Sequence, residues 1–441
     1  MGERDRSRSH NGSNLEIKIK ERIPILSPTS QSSSRMEIVQ LCIKTRFLFF
    51  IAMIVSSFVL PTFDPGLGVL QFDMRLGPEE KNLSTICFCL KDHVCNDMWT
   101  EGSSLIHEEN TTDCAVGDHQ RYAAISSKKI DFYNVLLTPL TRWDAARFLT
   151  LAVSSKARYP PIHLRKQCEL KRDNSLEKSC SIDDESIFES SEQAHAFFPL
   201  FPLCIRVLAL LLAKILPTLI MPPTFEALVV LSSFLWNTMC FILAALAIQE
   251  LTYAILLYSQ KETYQESERK TVLSLANMTT VAFILNPANV FFISCYSEAT
   301  FSCMTFTGYA LFTHAFHSGN ILLYVVSTVL FMLASYSRSN GSLIAIFIFI
   351  HVSAKLVTVV KDKKGLLNRF LRCSGYLLLY TPQMILIITP VYYHEKRGIS
   401  FHCDQDYRPA WCDALDQSTS NFSLYGYVQN KHWNVGLFRY W

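Results

Sequence analysis

Polar and apolar residues are segregated along this chain into long blocks. The first third is mostly polar, and from Ala196 onward apolar runs follow one another with only short polar breaks. Several of these runs exceed the roughly 18 residues that indicate a transmembrane helix. A soluble protein would instead alternate apolar and polar residues at the period of a helix or strand. The pattern therefore predicts an all-α polytopic membrane protein.

The segregation divides the chain into five predicted segments. Residues 1–37 are rich in Ser, Arg, Lys and Glu, which predicts a disordered cytosolic tail and not a signal peptide. Residues 38–61 form the first predicted transmembrane helix, and residues 62–196 form a long polar loop. Residues 197–393 form a multi-span transmembrane domain, and residues 394–441 form a polar C-terminal segment.

The orientation of these segments follows from the basic residues beside the apolar runs. Lys44 and Arg46 precede the most apolar part of the first helix, which places its N-terminal side in the cytosol. The most basic short loop between spans, residues 361–372, should be cytosolic for the same reason. Both assignments put the loop 62–196 and the segment 394–441 in the lumen.

The apolar stretch 197–220 does not fit a simple alternation of spans. Counting back from the cytosolic basic loop places both of its ends on the lumenal side. Its prolines and its two central charges, Arg206 and Lys214, favour a re-entrant or interfacial helix. In the alternative, this helix spans the membrane and a later pair of apolar runs forms a hairpin.

Cysteines and glycosylation sequons agree with a lumenal location of both polar segments. Six cysteines fall in the loop 62–196, and Cys403 and Cys412 fall in the last segment. Even numbers in each segment favour disulfides in an oxidising compartment, although the sequence leaves their pairing open. Asn-x-Ser/Thr sequons predict three lumenal glycosylation sites, at Asn82, Asn110 and Asn421.

Composition narrows the range of partners. Only 18% of the residues are charged and the formal net charge is +3, against about 25% charged residues in typical soluble domains. Such a balance gives no indication of a nucleic-acid partner. The close group Cys87, Cys89 and Cys95 lacks the paired Cys or ordered His residues of a zinc site. No metal site is predicted, and dependence on a divalent metal stays open.

The sharpest candidate for chemistry is Asp144, which follows Trp143 in a polar segment next to the membrane. A tryptophan is suited to the level of the lipid headgroups, so Asp144 would be held at the water edge of the bilayer. There it could face the headgroup of a lipid-linked substrate. In the structural alternative, Asp144 caps or ion-pairs a helix that carries Arg142 and Arg147.

Further polar groups accompany Asp144 on the predicted lumenal side. Each alone is more often a helix cap or a helix break, but charges at membrane depth are functional candidates. Their convergence on one face predicts a pocket that faces a lipid headgroup. The four groupings are Trp143 with Asp144, Glu192 with His195, Asn286-Pro287 with Tyr296-Ser297-Glu298, and Arg338 with Asn340.

These motifs, in this order from Thr141 to the C-terminus, resemble the PIG-V family of GPI mannosyltransferases. The resemblance is carried by Arg142-Trp143-Asp144-Ala145, Asn286-Pro287-Ala288-Asn289, Tyr296-Ser297-Glu298, Arg338-Ser339-Asn340-Gly341 and Lys431-His432-Trp433-Asn434. It implies a GT-C glycosyltransferase fold and a multi-pass protein of the endoplasmic reticulum membrane. It also implies transfer of the second mannose, in α-1,6 linkage, onto the glycosylphosphatidylinositol precursor. The implied donor is dolichyl-phosphate mannose, and no cofactor is implied.

The resemblance also suggests roles for the polar residues. Because the donor is a β-linked mannosyl phosphate and the product is α-linked, the reaction inverts, and Asp144 is the expected general base. Arg338 is the first candidate for binding the leaving phosphate, followed by His432 and Arg439. The remaining candidates would bind the substrate or position Asp144: Trp143, Glu192, His195, Glu298 and Asn340.

Two departures from the family leave other interpretations open. Residues 62–130 and 154–190 form a longer first lumenal loop than the family has, and the chain stops at Trp441 before the expected last helices, as a truncated product would. The alternatives are another lipid-linked-sugar glycosyltransferase, a non-catalytic relative, or a membrane transporter. A transporter should show symmetry between its halves, and none is recognisable. The sequence leaves any auxiliary subunit open.

Overall fold

The computed structural model is helical throughout the part of the chain that it describes. It describes residues 28–59, 136–141, 144–153, 195–216, 225–259, 266–361, 365–403, 412–413 and 423–433. Within these ranges there are helices, turns and short 3₁₀ segments, and no strand. The prediction of an all-α protein is confirmed.

The described helices vary from a single turn to more than the thickness of a bilayer. In chain order they are α1 (Pro28–Val59), α2 (Ala145–Val153), α3 (Leu200–Ile215), α4 (Phe225–Ser259), α5 (Glu266–Ile284), α6 (Asn289–Ile293), α7 (Glu298–Ser318), α8 (Ile321–Ser337), α9 (Ile344–Lys361), α10 (Leu366–Cys403) and α11 (Leu424–Trp433). Two 3₁₀ segments, Thr138–Thr141 and Ser339–Leu343, precede α2 and α9.

Several helices have the length and composition to cross a membrane. A span needs about 20 mostly apolar residues, since each residue adds about 1.5 Å to a helix. Within the described ranges, four segments meet this requirement: Ser34–Ser56, Ala227–Tyr258, Ser339–Lys361 and Leu366–Cys403. The prediction of a polytopic membrane protein is therefore confirmed. The first helix starts at Pro28, before the predicted residue 38, because its polar first turns continue the helix beyond the apolar part.

The helix α4 is the centre of the bundle. It contacts α1, α2, α3, α5 and α7. Small residues distributed along it, including Ala227, Ala244 and Ala254, are almost completely buried. Small side chains let neighbouring helix backbones approach closely, which favours association where no hydrophobic effect drives it.

The helices α7 and α8 form an antiparallel hairpin with a well-defined turn. Gly319 has φ 70°, the left-handed conformation that ends many helices, and its N–H donates to the Ala315 carbonyl at 2.8 Å. The side chain of Asn320 then accepts from the backbone N–H groups of Leu322 and Leu323 at 2.9 and 3.4 Å. This turn satisfies the helix ends on the side that the charge pattern assigns to the cytosol.

At the opposite end of α8, the chain turns back against its own helix. Gly341 lies so close to α8 that a Cβ atom there would be 2.4 Å from the backbone N and Cα atoms of Ser335. Only glycine fits this approach without displacement of backbone. The turn places Arg338 at the end of α8 and starts α9 beside it, over a core that includes Phe331 and Ile348.

The stretch predicted to be re-entrant contains α3. This helix packs on α2 and α4, and it is not among the segments long enough to span. The Arg206 guanidinium donates to the carbonyls of Ala152 and Val153, at 3.1 and 3.0 Å, and thereby caps the C-terminal end of α2. The charge of Arg206 thus has a packing role, and the re-entrant path stays a prediction.

We expect Gly341→Ala to lower the thermal stability of the detergent-solubilised protein, at a cost of about 1–3 kcal/mol for overpacking. Gly375→Ala is the matched control, because Gly375 lies inside α10 with open space around it. That change should be neutral or slightly stabilising, since alanine is the better helix former. Equal melting temperatures for the two variants would contradict the close approach at Gly341.

Candidate active site

Asp144 lies at the start of α2, in a solvent-accessible position. Its backbone carbonyl accepts from the N–H groups of Arg147 and Phe148 at 3.1 and 3.3 Å, so it occupies the N-cap position. Phe148 packs edge-to-face on Phe197 at 5.1 Å between ring centroids, which fixes α2 against the chain leading into α3. Asp144 thus stands at the cap position foreseen in the structural alternative, and its side chain is accessible for chemistry.

Tyr296 connects the transmembrane bundle to this cap. Its hydroxyl oxygen accepts hydrogen bonds from the backbone N–H groups of Asp144 and Ala145, two of the donors that a helix start leaves unpaired. The ring is buried against Phe148 and Phe291, at 6.3 and 5.5 Å between centroids. The position of Asp144 therefore depends on the position of Tyr296.

The segment around Tyr296 is held from two sides. The side-chain amide of Asn237, in the middle of α4, donates to the carbonyls of Ser294 and Tyr296 at 2.6 and 3.1 Å. The N–H of Cys295 donates to the Leu140 carbonyl at 3.1 Å, which joins the same segment to the 3₁₀ turn before α2. These bonds satisfy buried backbone groups, as irregular chain inside a helical bundle requires.

Two residues after Tyr296, Glu298 forms an ion pair with Arg338. Glu298 is the first residue of α7, and its Oε1 accepts from the guanidinium of Arg338 at the end of α8. Both side chains are partly exposed, at 26% and 34%. The second carboxylate oxygen of Glu298 is buried and has no hydrogen-bond partner among the described residues. It is therefore available to accept a hydrogen bond from a ligand.

The charges of this group influence one another. Partial burial raises the pKa of the Asp144 carboxyl, and the guanidinium groups of Arg147 and Arg338 oppose that rise. Burial, together with the negative charges of Asp144 and Glu298, raises the pKa of the Tyr296 phenol. The site thus contains the Asp144 carboxylate, whose proton affinity is increased, and the Arg338 guanidinium, which is already paired with Glu298.

Of the other predicted site residues, Asn340 is exposed in the 3₁₀ turn after Arg338, next to the group just described. Asn286 is also exposed, and its side-chain oxygen accepts from the Ala288 N–H at 2.8 Å. That bond shapes the turn before α6. Asn340 therefore lies beside the site, and Asn286 has a local structural role.

The structure places His195 in a different group from Asp144. His195 is 3% exposed, and its carbonyl accepts from His394 Nε2 at 2.9 Å. Its ring is 5.0 Å from the ring of His402, and a Cβ at Gly398 would touch it. Burial and the neighbouring histidines lower the pKa of His195, so the ring is neutral. Its described contacts attach the chain before α3 to the end of α10, which gives it a packing role that its position in the sequence did not indicate.

The remaining predicted residues lie partly or wholly outside the described ranges. Only the backbone of His432, in α11, is described. Cys403 and Cys412 form a disulfide, as expected for an oxidising lumen. In the described part of the chain, no group of three or more His, Cys, Asp or Glu side chains is arranged to hold a metal ion. Six predicted site residues lie outside the described ranges: Trp143, Glu192, Arg439, Asn82, Asn110 and Asn421.

Fold and site together define a class: a multi-span α-helical membrane protein with a carboxylate and an ion pair gathered at one end of its bundle. A model of the family described as Mannosyltransferase (PIG-V) matches residues 182–441, and the chain belongs to this family. The predicted resemblance is confirmed. The matched range contains Tyr296, Glu298 and Arg338, and Asp144 precedes it.

Individual relatives agree with the family. GPI mannosyltransferase 2 of Kluyveromyces lactis is 31% identical over 195 residues, which cover 41% of this chain and 43% of the relative. GPI mannosyltransferase 2 of Candida glabrata is 31% identical over 212 residues (42% and 45%). GPI alpha-1,6-mannosyltransferase 2 of Rattus norvegicus is 26% identical over 276 residues (57% and 49%). The chain thus spans about half the length of the curated relatives that it matches. No solved structure matches it.

The most informative residue that sequence reasoning left without a role is Tyr296. The motif Tyr296-Ser297-Glu298 is recognisable in the sequence, but nothing there indicates that the Tyr296 hydroxyl reaches the start of α2, which lies about 150 residues earlier in the chain. Asn237 had a weaker signal. It is an amide in the middle of the apolar helix α4, and a buried amide must find partners.

We expect Tyr296→Phe to loosen the first turn of α2, because two backbone N–H groups lose their acceptor at a net cost of about 1 kcal/mol each. Hydrogen exchange at Asp144 and Ala145 should accelerate accordingly. Tyr309→Phe is the matched control: Tyr309 is a half-buried tyrosine in the α7–α8 core with no hydroxyl partner among the described residues. Unchanged exchange in Tyr296→Phe would contradict the bond.

Proposed function

We propose that this chain transfers the second mannose, in α-1,6 linkage, from dolichyl-phosphate mannose to a glycosylphosphatidylinositol precursor in the lumen of the endoplasmic reticulum. Membership of the PIG-V family and the names of the relatives support the reaction class and the acceptor. One observation carries the assignment of chemistry to residues: the accessible Asp144 carboxyl shares a charged group with Arg338 and Glu298 at one end of the bundle.

The proposed reaction is a single displacement with inversion. The acceptor hydroxyl oxygen forms a bond to the anomeric carbon of the mannose while the bond from that carbon to the phosphate oxygen breaks. Dolichyl phosphate leaves with the bonding electron pair, and the hydroxyl proton passes to the Asp144 carboxylate. A raised pKa suits this role, because a base with greater proton affinity removes the proton more effectively as long as it is ionised at the working pH.

The leaving phosphate needs cationic hydrogen-bond donors and no acid. A guanidinium has five N–H donors, and the described structure uses one nitrogen of Arg338 for Glu298. The remaining donors, and those of Arg147 close to Asp144, are suited to phosphate oxygens. The buried free oxygen of Glu298 would accept from a sugar hydroxyl. The ion pair thus keeps Arg338 oriented, and a fully charged phosphate would add to its partners.

The lumenal assignment agrees with the disulfide Cys403–Cys412, which belongs to an oxidising compartment. In the described chain the disulfide starts from Cys403, the last residue of α10, and the site lies where α7 begins and α8 ends. Because α8, α9 and α10 run in alternating directions, the start of α7, the end of α8 and the disulfide at the end of α10 lie on the same side of the bundle. The proposed reaction therefore takes place on the side that carries the disulfide.

Complementation tests the proposal. The chain should be expressed in cells that lack the second GPI mannosyltransferase, with surface GPI-anchored protein and the mannosylated lipid intermediates both followed. We expect surface display to return and the intermediate with one mannose to disappear. An abundant, correctly located protein that leaves this intermediate in place would overturn the assignment and favour another lipid-linked acceptor.

Asp144→Asn keeps the size of the side chain and removes the base. We expect mannosyl transfer to fall by about 10²-fold or more without loss of protein. Asp413→Asn is the matched control, because Asp413 is an exposed aspartate beside the lumenal disulfide and takes no part in the site. Transfer at the wild-type rate in Asp144→Asn would remove Asp144 from the catalytic role.

Arg338→Gln should move the acid limb of the pH–rate profile upward. The Arg338 guanidinium lowers the pKa of Asp144, and its loss also leaves the negative charge of Glu298 uncompensated. Both effects raise that pKa, so the base becomes protonated, and the rate is lost, at a higher pH than in the wild type. The profile of kcat against pH in detergent measures this shift. Arg372→Gln, near the predicted cytosolic end of α10, should leave the limb in place, and an unmoved limb in both variants would refute the coupling.

A further inference from the structure

Arg46 is a charged residue in an unexpected position. It was expected on the cytosolic flank of the first span, but it lies inside the apolar segment Ser34–Ser56 and is only 3% exposed. A buried cation within a membrane span is costly, and it persists where the protein provides partners for it. None of the described carboxylates forms an ion pair with Arg46. Its partners are instead two oxygens of one asparagine and the faces of two aromatic rings.

The contacts of Arg46 converge on the start of α6. Its Nη2 donates to the side-chain oxygen of Asn289 at 2.7 Å, and its Nη1 lies 3.4 Å from the Asn289 carbonyl. The guanidinium is stacked on the ring of Phe241 in α4, at 3.3 Å from the centroid. Two helices, α1 and α4, are therefore joined through Arg46 to the first residue of a third.

Both polar atoms of the Asn289 side chain are hydrogen-bonded. It is 1% exposed, its Oδ1 accepts from Arg46, and its Nδ2 donates to the carbonyl of Ile284, the last residue of α5. The single turn α6 begins here, and Ser294, Tyr296 and Glu298 follow it directly. A displacement of Asn289 would therefore be transmitted, within a few residues, to the side chains of Tyr296 and Glu298 at the site.

We propose that Arg46 is a positioning residue for the reaction assigned above: it fixes α6 through Asn289 and so sets where Tyr296 and Glu298 lie relative to Asp144. The part about catalysis depends on the proposed function, and the part about structure does not. Among the described residues, the hydrogen bonds and ring contacts of Arg46 go to Asn289, Phe241 and Phe292 and not to Asp144.

The proposal explains why an arginine occupies this position. A planar guanidinium can donate to two acceptors of one residue while its face stacks on an aromatic ring. A lysine ammonium is a more strongly hydrated point charge and cannot satisfy both geometries. We therefore expect Arg46→Lys to preserve the charge without preserving the position of α6.

A thiol probe tests the structural part without any assay of activity. Cys295 is fully buried, one residue before Tyr296, and Cys303, in α7, is an internal reference at 6% exposure. In Arg46→Gln we expect alkylation of Cys295 by a membrane-permeant maleimide to accelerate about tenfold relative to Cys303, the effect of losing a charged hydrogen bond. Site-resolved mass spectrometry measures both cysteines in one sample.

Matched variants make this test specific. Arg35→Gln removes an arginine from the same helix, one that pairs with Glu250 at 2.9 Å away from α6, and it should leave the Cys295 to Cys303 ratio unchanged. Asn289→Ala should reproduce Arg46→Gln, and Arg46→Lys should restore little. An unchanged ratio in both Arg46→Gln and Asn289→Ala would overturn the proposal, and so would equal increases in Arg46→Gln and Arg35→Gln.

A double-mutant cycle tests the catalytic part. If Arg46 acts through Tyr296, then Arg46→Gln should lower kcat in the wild-type background, with little change in KM, and should have almost no further effect in Tyr296→Phe. Additive losses of kcat would show that Arg46 does not act through Tyr296. If the wild type itself has no mannosyl transfer, the proposed function fails, while the thiol test still decides whether Arg46 fixes α6.

Discussion

The hydrogen bonds that Tyr296 accepts from the start of α2 hold the site together. They connect a transmembrane bundle to a short helix that precedes most of that bundle in sequence. Without them, α2 would be held near the site by the apolar packing of Phe148 and Leu149, by the Cys295–Leu140 hydrogen bond before its start and by Arg206 at its far end. Apolar packing fixes a surface, whereas a pair of directed hydrogen bonds fixes a distance and an angle. In the proposed reaction the carboxyl of Asp144 needs a fixed distance and angle, because proton transfer depends on geometry.

Other polar side chains inside the bundle also hold non-helical backbone in position. Asn237 satisfies the carbonyls around Tyr296, and Arg46 with Asn289 fixes the turn that leads there. The charged pair Glu298–Arg338 completes the arrangement at the ends of α7 and α8. In an apolar environment, each unpaired polar group costs several kcal/mol. Asn237, Asn289 and Arg46 thus act where the chain leaves helical geometry, which is also where the candidate site lies.

The sequence was sufficient for the class of fold, because long apolar runs have few other solutions in water or lipid. It also indicated Asp144, Glu298 and Arg338, since charges beside membrane spans are rare and conspicuous. It did not separate His195 from them, because proximity in sequence to an apolar helix does not reveal that His394 and His402 surround it. Nor did it distinguish the buried Arg46 from a flanking charge, since that difference depends on Asn289, which is remote in sequence.

The most direct test of the central claim is an experimental structure of the protein with a non-transferable analogue of dolichyl-phosphate mannose. We predict that the sugar lies at the ion pair Glu298–Arg338, with its anomeric carbon facing the Asp144 carboxyl and its phosphate next to a guanidinium of Arg338 or Arg147. A sugar bound beside His195, His394 and His402, with Asp144 remote from the anomeric carbon, would contradict it.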